Sequence, residues 1–382
     1  MPRLSLPLLL AASLLGCATN TAAQRTEPQT TAEAPSQATG AGVASLADLD
    51  SLTLPPLPAW VDKYADTPQG DQRFFNMSRL MERFGLVRAQ AVELQNHYRD
   101  ITRATPSADH VSAFNTALER VRHGNYESRL ELERLAKARF IVVFDLDETL
   151  WSQYYPLEVG ATCHDLVIQE GKPPAGRYVK LVPGWQQAFE RIQALGGAVV
   201  LFSANLEDST HENLAQWKFN GVPLTESPAI SGILSNGHLI LQDKSEGVTD
   251  PHKGSPIREP SKDLRIFDES LRRVIIIDDN PTRLFQLRNE RVIKKFEAGT
   301  YCTTSDPVLR RAFDDSLPEV VQEIEESAQY MNQHGGQFAD AYLPYTSLGQ
   351  VTVRFLMESG GLDRTQALEY VRRNPQSVDP KY

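Results

Sequence analysis

The sequence predicts an α/β fold, doubly wound about a parallel sheet. Three observations carry that expectation. The runs 140–144, 198–202 and 274–277 are apolar without a polar break, the pattern of strands buried on both faces. Helix-like stretches and Gly/Pro breaks separate them, as βα repeats require. Each run ends on a polar residue, at Asp145, Ser203 and Asp278 in turn. Open α/β sheets hold their ligands at those carboxyl ends.

At 382 residues the chain has room for one large domain or two ordinary ones. Hydrophobic content of 41% and charged content of 23% are those of a soluble globular protein. A net charge of -10 argues against nucleic acid as partner, which would call for a basic patch.

Residues 1–17 read as a signal peptide: Arg3 gives a positive start, residues 4–15 a mostly apolar run too short to span a bilayer. Leu14-Leu15-Gly16-Cys17 resembles the lipobox of bacterial lipoproteins. The resemblance implies a lipidated Cys17, a membrane partner through that lipid, and an extracytoplasmic location. Ala18 after the cysteine favours the outer membrane or cell surface. Residues 18–58 are rich in Ala, Thr, Gln, Ser and Pro and hold no aromatic residue, so they read as a flexible tether. Residues 59–139 read as helical, with Leu80, Phe84, Val87 and Ala91, then Val111, Phe114, Leu118 and Val121, at helical spacing. They carry no recognisable chemistry. They are expected to form a packed appendage, with a protein partner left open.

The chemistry begins at Phe140-Ile-Val-Val-Phe-Asp-Leu-Asp-Glu-Thr-Leu150. Side chains two apart on an extended segment share a face, so Asp145 and Asp147 can enter one pocket while Leu146 turns inward. Paired carboxylates repel unless a shared proton or a hard cation such as Mg²⁺ offsets them. With Mg²⁺, one could attack phosphorus while the other moves protons. The Thr149 hydroxyl can hold a carboxylate in place. Residues 163–170 and 177–182 read as two strands of a small β cap. The helix after Pro183-Gly184 has an apolar stripe of Trp185, Phe189, Ile192 and Leu195. A hydroxyl at Ser203 suits a phosphoryl oxygen. Asn236-Gly237 between two apolar triplets signals a hairpin. Lys262 can offset negative charge, with Lys253 as its rival. Asp278 and Asp279 add oxygen ligands for the ion.

These elements in order resemble the four motifs of the haloacid dehalogenase (HAD) superfamily. Lys262 stands sixteen residues before Asp278, and Tyr178-Val-Lys-Leu-Val-Pro-Gly184 leads the helix before the second strand. Both features resemble the NLI-interacting-factor domain, shared with phosphatases of the RNA polymerase II C-terminal domain. The resemblance covers roughly residues 140–327. It implies a HAD-like parallel sheet with a small cap and a phosphatase acting through an aspartyl-phosphate. Asp145 is then the nucleophile and Asp147 the general acid/base, and Ser203 and Lys262 bind the phosphoryl group. The implied cofactor is Mg²⁺, held by the Asp145 side chain, the Asp147 carbonyl and Asp279, with Asp278 alongside. A small cap implies phosphorylated substrates that are bulky, phosphoproteins among them.

Two departures bear on the substrate. Val182 stands where those phosphatases often carry Arg, and residues 230–261 separate the second and third motifs. A broad-specificity lipoprotein acid phosphatase or phosphotransferase on small phosphates is the alternative, and a non-catalytic surface binding protein is another. Cys163 and Cys302 could pair or stay as free thiols. The phosphatase domain is expected over 140–333, with a next strand at 292–296 and a helix over 307–333. Residues 334–382 are expected to be a tail with one helix, at 363–373.

Overall fold

The computed structural model describes residues 42–54, 73–154, 163–169, 176–243, 258–284 and 286–378. The signal peptide with Cys17, and Lys253, lie outside the described residues.

Helix α1 (Leu46–Leu52) falls inside the segment expected to be a tether. Ser45 caps it, and Leu49 and Leu52 are buried. Asn115 fixes its approach, accepting from Val43 N at 2.9 Å and donating to Val43 O at 3.0 Å. The Leu46/Leu49/Leu52 spacing was the missed signal. A run of apolar residues on one helical face finds a partner despite polar surroundings. The next helices are α2 (Met77–Phe84), α3 (Arg88–Ala104), α4 (His110–Arg122) and α5 (Leu132–Lys137).

The strands follow: β1 (Phe140–Phe144), β2 (Trp151–Tyr154), β3 (Leu166–Gln169), β4 (Gly176–Leu181) and β5 (Gly197–Phe202). Helix α6 (Trp185–Ala194) joins β4 to β5, and α7 (Glu207–Gln216) follows β5. A short antiparallel pair, β6 (Lys218–Phe219) and β7 (Val222–Pro223), precedes β8 (Ile230–Leu234). Then come β9 (Ile240–Asp243), β10 (Arg258–Ser261), β11 (Val274–Asp278) and β12 (Glu290–Val292). The last strand covers 290–292 rather than the expected 292–296.

The central sheet has the order β12-β11-β1-β5-β8, and every pairing is parallel. Alternation along β1 divides it between two cores. Phe140, Val142 and Phe144 face α6 and a later helix, α10 (Ser316–His334). Ile141 and Val143 face the other side, in one apolar cluster with Leu80, Leu94 and Phe114 of α2, α3 and α4. The helices before residue 140 are therefore not an appendage. They are one of the two layers that a parallel sheet with two apolar faces must have.

The cap is a three-stranded antiparallel sheet, order β2-β4-β3. Its two expected strands are joined by β2, which the sequence reading did not separate from the motif before it. A disulfide joins Cys163, ahead of β3, to Cys302 in α8 (Ala298–Thr303).

The Asn236-Gly237 hairpin does not form. Residues 236–238 make a single 3₁₀ turn; β8 enters the parallel sheet, and β9 pairs instead with β10. Gly237 is required for another reason. A Cβ there would lie 1.6 Å from Asn96 Oδ1, and the Gly237 carbonyl accepts from Gln95 Nε2 at 3.1 Å and Arg99 at 3.2 Å.

The residues beyond 334 are ordered onto the core. Helix α9 (Pro307–Asp314) leads into α10, followed by α11 (Phe338–Tyr342), α12 (Ser347–Glu358) and α13 (Arg364–Arg373). Phe338 stacks on Phe140 of β1 with ring centroids 4.2 Å apart. Arg291 of β12 makes a two-pronged pair with Glu323 of α10 at 2.9 Å, and Tyr342 donates to the same carboxylate. The expected tail is thus three helices and two 3₁₀ turns, at Leu343–Tyr345 and Pro375–Ser377. Phe338, Tyr342 and Tyr345, spaced i, i+4 and i+7 and buried, carry its docking.

Candidate active site

The carboxyl ends of β1, β5 and β11 lie side by side, and the polar residues that end them converge. Asp145 leaves β1 with its amide donating to Ile277 O at 3.0 Å, so the sheet fixes its backbone. The chain then turns over 146–150: Leu150 N and Trp151 N both donate to Leu146 O, at 2.9 and 3.1 Å. Glu148 adopts a left-handed φ of 62° to make this turn. Its amide donates to Trp151 O, and its carbonyl accepts from Phe296 N, both at 2.7 Å.

Lys262 is fully buried and bridges the acids that end β1 and β11. Its ammonium donates to Asp145 Oδ1 at 2.5 Å and to Asp278 Oδ2 at 2.7 Å. Its backbone is pinned by Lys262 N donating to Arg283 O at 2.9 Å. Burial works against the charge, but Asp145 and then Asp278 outweigh it and hold the lysine above its ordinary range. The ammonium is therefore fixed in its charged form.

Asp145 itself is pushed up to about 8. Burial is the main cause; Lys262 opposes it, and Asp278 and Asp147 add to it. One lysine does not compensate this group of acids. Asp279 is also raised, by burial first and then by Asp278, against the bond from Thr149.

The remaining expected residues hold those acids. Thr149 Oγ1 donates to Asp279 Oδ1 at 3.2 Å and accepts from Asp279 N at 3.0 Å. Ser203 Oγ donates to Asp147 Oδ2 at 3.1 Å and accepts from Asn205 N at 3.0 Å. Asp278 Oδ1 accepts from Asn280 N at 2.8 Å. Asp145, Asp147, Thr149, Ser203, Lys262, Asp278 and Asp279 are thereby brought together at one end of the sheet.

Trp151 was not anticipated. Its indole Nε1 donates to Asp147 Oδ1 at 3.0 Å, so both oxygens of Asp147 have a donor. A tryptophan four residues past an aspartate, at the mouth of a buried strand, was the available signal.

The family comparison matches this geometry. Residues 140–326 fit the family of NLI interacting factor-like phosphatases. That segment belongs to the family. As an NLI interacting factor-like phosphatase, the domain is a HAD-type hydrolase of phosphoric monoesters, and its substrate is phosphorylated. Among solved structures, that of Fcp1, an essential RNA polymerase II CTD phosphatase, is 15% identical with a TM-score of 0.36, over 58% of this chain and 73% of that one. A fission yeast Fcp1 variant bound to beryllium fluoride is 12% identical with a TM-score of 0.29, over 65% of this chain and 70% of the other. No curated protein matches this chain.

Phosphatases of this kind depend on a metal ion, and the acids fit one. Asp145, Asp278 and Asp279 each offer an oxygen within 4.8 Å of the others. An all-oxygen set with uncompensated negative charge suits a hard divalent cation.

Proposed function

We propose that the domain hydrolyses phosphomonoesters with Mg²⁺ as cofactor, through a phosphoryl group carried on Asp145. The observation that carries this reading is the convergence of Asp145, Asp147, Ser203, Asp278 and Lys262 from three adjacent strand ends and the segment after β10. Mg²⁺ would be held by Asp145, the Asp147 carbonyl and Asp279, with Asp278 alongside, and would neutralise charge on the phosphoryl oxygens. Asp145 attacks phosphorus; the P–O bond to the leaving group breaks as Asp147 delivers a proton to that oxygen. Asp147 then takes a proton from water, which displaces the phosphate from Asp145. Ser203 and Lys262 bind the phosphoryl oxygens and position them for in-line attack.

The substrate reading is a phosphoprotein or another bulky phosphoester, supported by family membership and a cap of three short strands. Release of phosphate from phosphoserine peptides and from nucleotide and sugar phosphates, with Mg²⁺ and with chelator, tests both halves. Turnover that survives the chelator would remove the metal. Turnover confined to small phosphates would replace the substrate.

The chain acts outside the cytoplasm, anchored to a membrane through Cys17. The Leu-Leu-Gly-Cys pattern supports this, as does the Cys163–Cys302 disulfide, which oxidising compartments sustain. Labelling cells with a palmitate analogue should mark the wild-type chain and not Cys17→Ala.

A further inference from the structure

The start of α6 opens into a cavity apart from the catalytic acids. It measures about 570 Å³ and is lined by the cap, the first turn of α6 and the end of α7. None of Asp145, Asp147, Ser203, Lys262, Asp278 and Asp279 lines it. Gly184 is the N-cap of α6, with a left-handed φ of 84°, and glycine has no side chain to accept from the first turn. No acid stands in that turn either. The amides of Trp185, Gln186 and Gln187 have no partner within the helix, and these residues line the cavity. A helix end left uncapped, with its positive dipole, favours an anion.

A second observation is independent of the helix. Trp217 also lines the cavity; it is fully buried, and its indole Nε1 has no acceptor. An indole nitrogen can only donate, and a buried donor left unmet is costly. Trp217 packs against Trp151 and Trp185, with ring centroids at 6.1 and 4.8 Å, so the indole is not free to swing toward another acceptor.

The charge of the lining agrees. Lys180 and Lys218 stand there against one acid, Asp165. Lys180 donates to Asp165 Oδ1 at 2.9 Å, and the Leu181 amide donates to Oδ2 at 2.8 Å. Lys218 is exposed and pairs with no acid among the described residues. The lining is thus net positive on a chain whose net charge is -10.

We propose that this cavity is a second anion site, which binds a phosphoryl oxyanion through the first-turn amides of α6, Trp217 Nε1 and Lys218. Three kinds of donor ask for three acceptor oxygens; a phosphoryl group has them and a carboxylate has two. The source is free phosphate or the phosphoryl end of a larger molecule, which the volume admits. Occupancy reaches the chemistry through two rings, because Trp217 stacks on Trp151, whose Nε1 donates to Asp147.

The test is a calorimetric titration of inorganic phosphate into the full chain saturated with Mg²⁺. We expect one equivalent beyond that taken at the catalytic acids. Lys218→Glu and Trp217→Phe should each weaken that equivalent about tenfold or more and leave the other unchanged. Lys218 is exposed, so its variant folds whatever befalls Trp217→Phe. A phosphonate peptide, which resists hydrolysis, separates the sources: binding here tighter than the free ion assigns the site to a larger molecule, and weaker binding assigns it to the ion. Anomalous diffraction from tungstate-soaked crystals should place an oxyanion against Trp217 Nε1. No additional equivalent, undiminished affinity in Lys218→Glu, or tungstate at Lys262 alone would overturn the proposal.

Discussion

Trp151 Nε1 donates to Asp147 Oδ1 across 3.0 Å, while Ser203 holds the other oxygen of the same carboxylate. A proton-transfer group so held stays aimed through the reaction. Trp151→Phe keeps the packing against Trp217, whose ring lies 6.1 Å away, and removes the bond. We expect kcat to fall by about tenfold or more with KM little changed. Steady-state kinetics on a chromogenic phosphoester would read the split; a change in KM alone would mean the tryptophan touches substrate instead.

Asp145→Asn should abolish phosphate release, by roughly a thousandfold or more, without unfolding the chain. Burial raises the Asp145 carboxyl, so the protonated or neutral form costs the fold little. Circular dichroism beside a phosphate-release assay would check both parts.

Lys262→Met removes a buried ammonium from between two buried acids. Breaking such an arrangement costs about 3–5 kcal/mol, because the acids lose their partner. Urea midpoints should drop accordingly and recover in part as pH falls and the raised Asp145 carboxyl takes up its proton.

The Cys163–Cys302 bond spans 139 residues of sequence. Closing a loop of that size constrains the unfolded chain, and about 2–4 kcal/mol of stability is the usual yield. Reduction, or Cys163→Ser, should lower the urea midpoint by that amount while leaving kcat near its wild-type value.

Glu93 and His238 are both buried, with Glu93 Oε1 and His238 Nε2 3.5 Å apart. Burial opposes the imidazolium, but Glu93 outweighs it, and the histidine is raised above 6.5. A raised histidine contributes stability that is complete below the unfolded value of about 6.5 and fades as pH climbs through the higher folded value. Stability measured from about pH 6 to 9 should therefore fall with rising pH. Glu93→Gln should flatten that slope and cost about 3 kcal/mol at the acid end. An unchanged slope would place the titration elsewhere.

Much of the site was legible because its residues are local to strand ends. Asp145, Asp147, Thr149, Ser203, Lys262, Asp278 and Asp279 each sit at or near the end of a short apolar run or at a family spacing, and each lands at the same end of the sheet. Trp151 escaped because an indole's one donor is invisible among apolar neighbours. Gly237 misled because a glycine needed for close approach to Asn96 reads the same as one needed for a turn. The layer built from residues before 140 was readable as helices but not as part of the domain. Periodicity shows that a helix has an apolar face and is silent on which surface covers it. Phe338 on Phe140 is a contact across nearly two hundred residues, beyond any local pattern.

That shared layer sets where the protein can be cut. A fragment trimmed to the family's own limits, 140–326, would lose α2, α3 and α4 and strip much of the apolar cluster that holds Ile141, Val143, Val200 and Ile276. It would also shed Phe338 from the opposite side. Expressed alone, such a piece should aggregate, and its silence in an assay would say nothing about the enzyme.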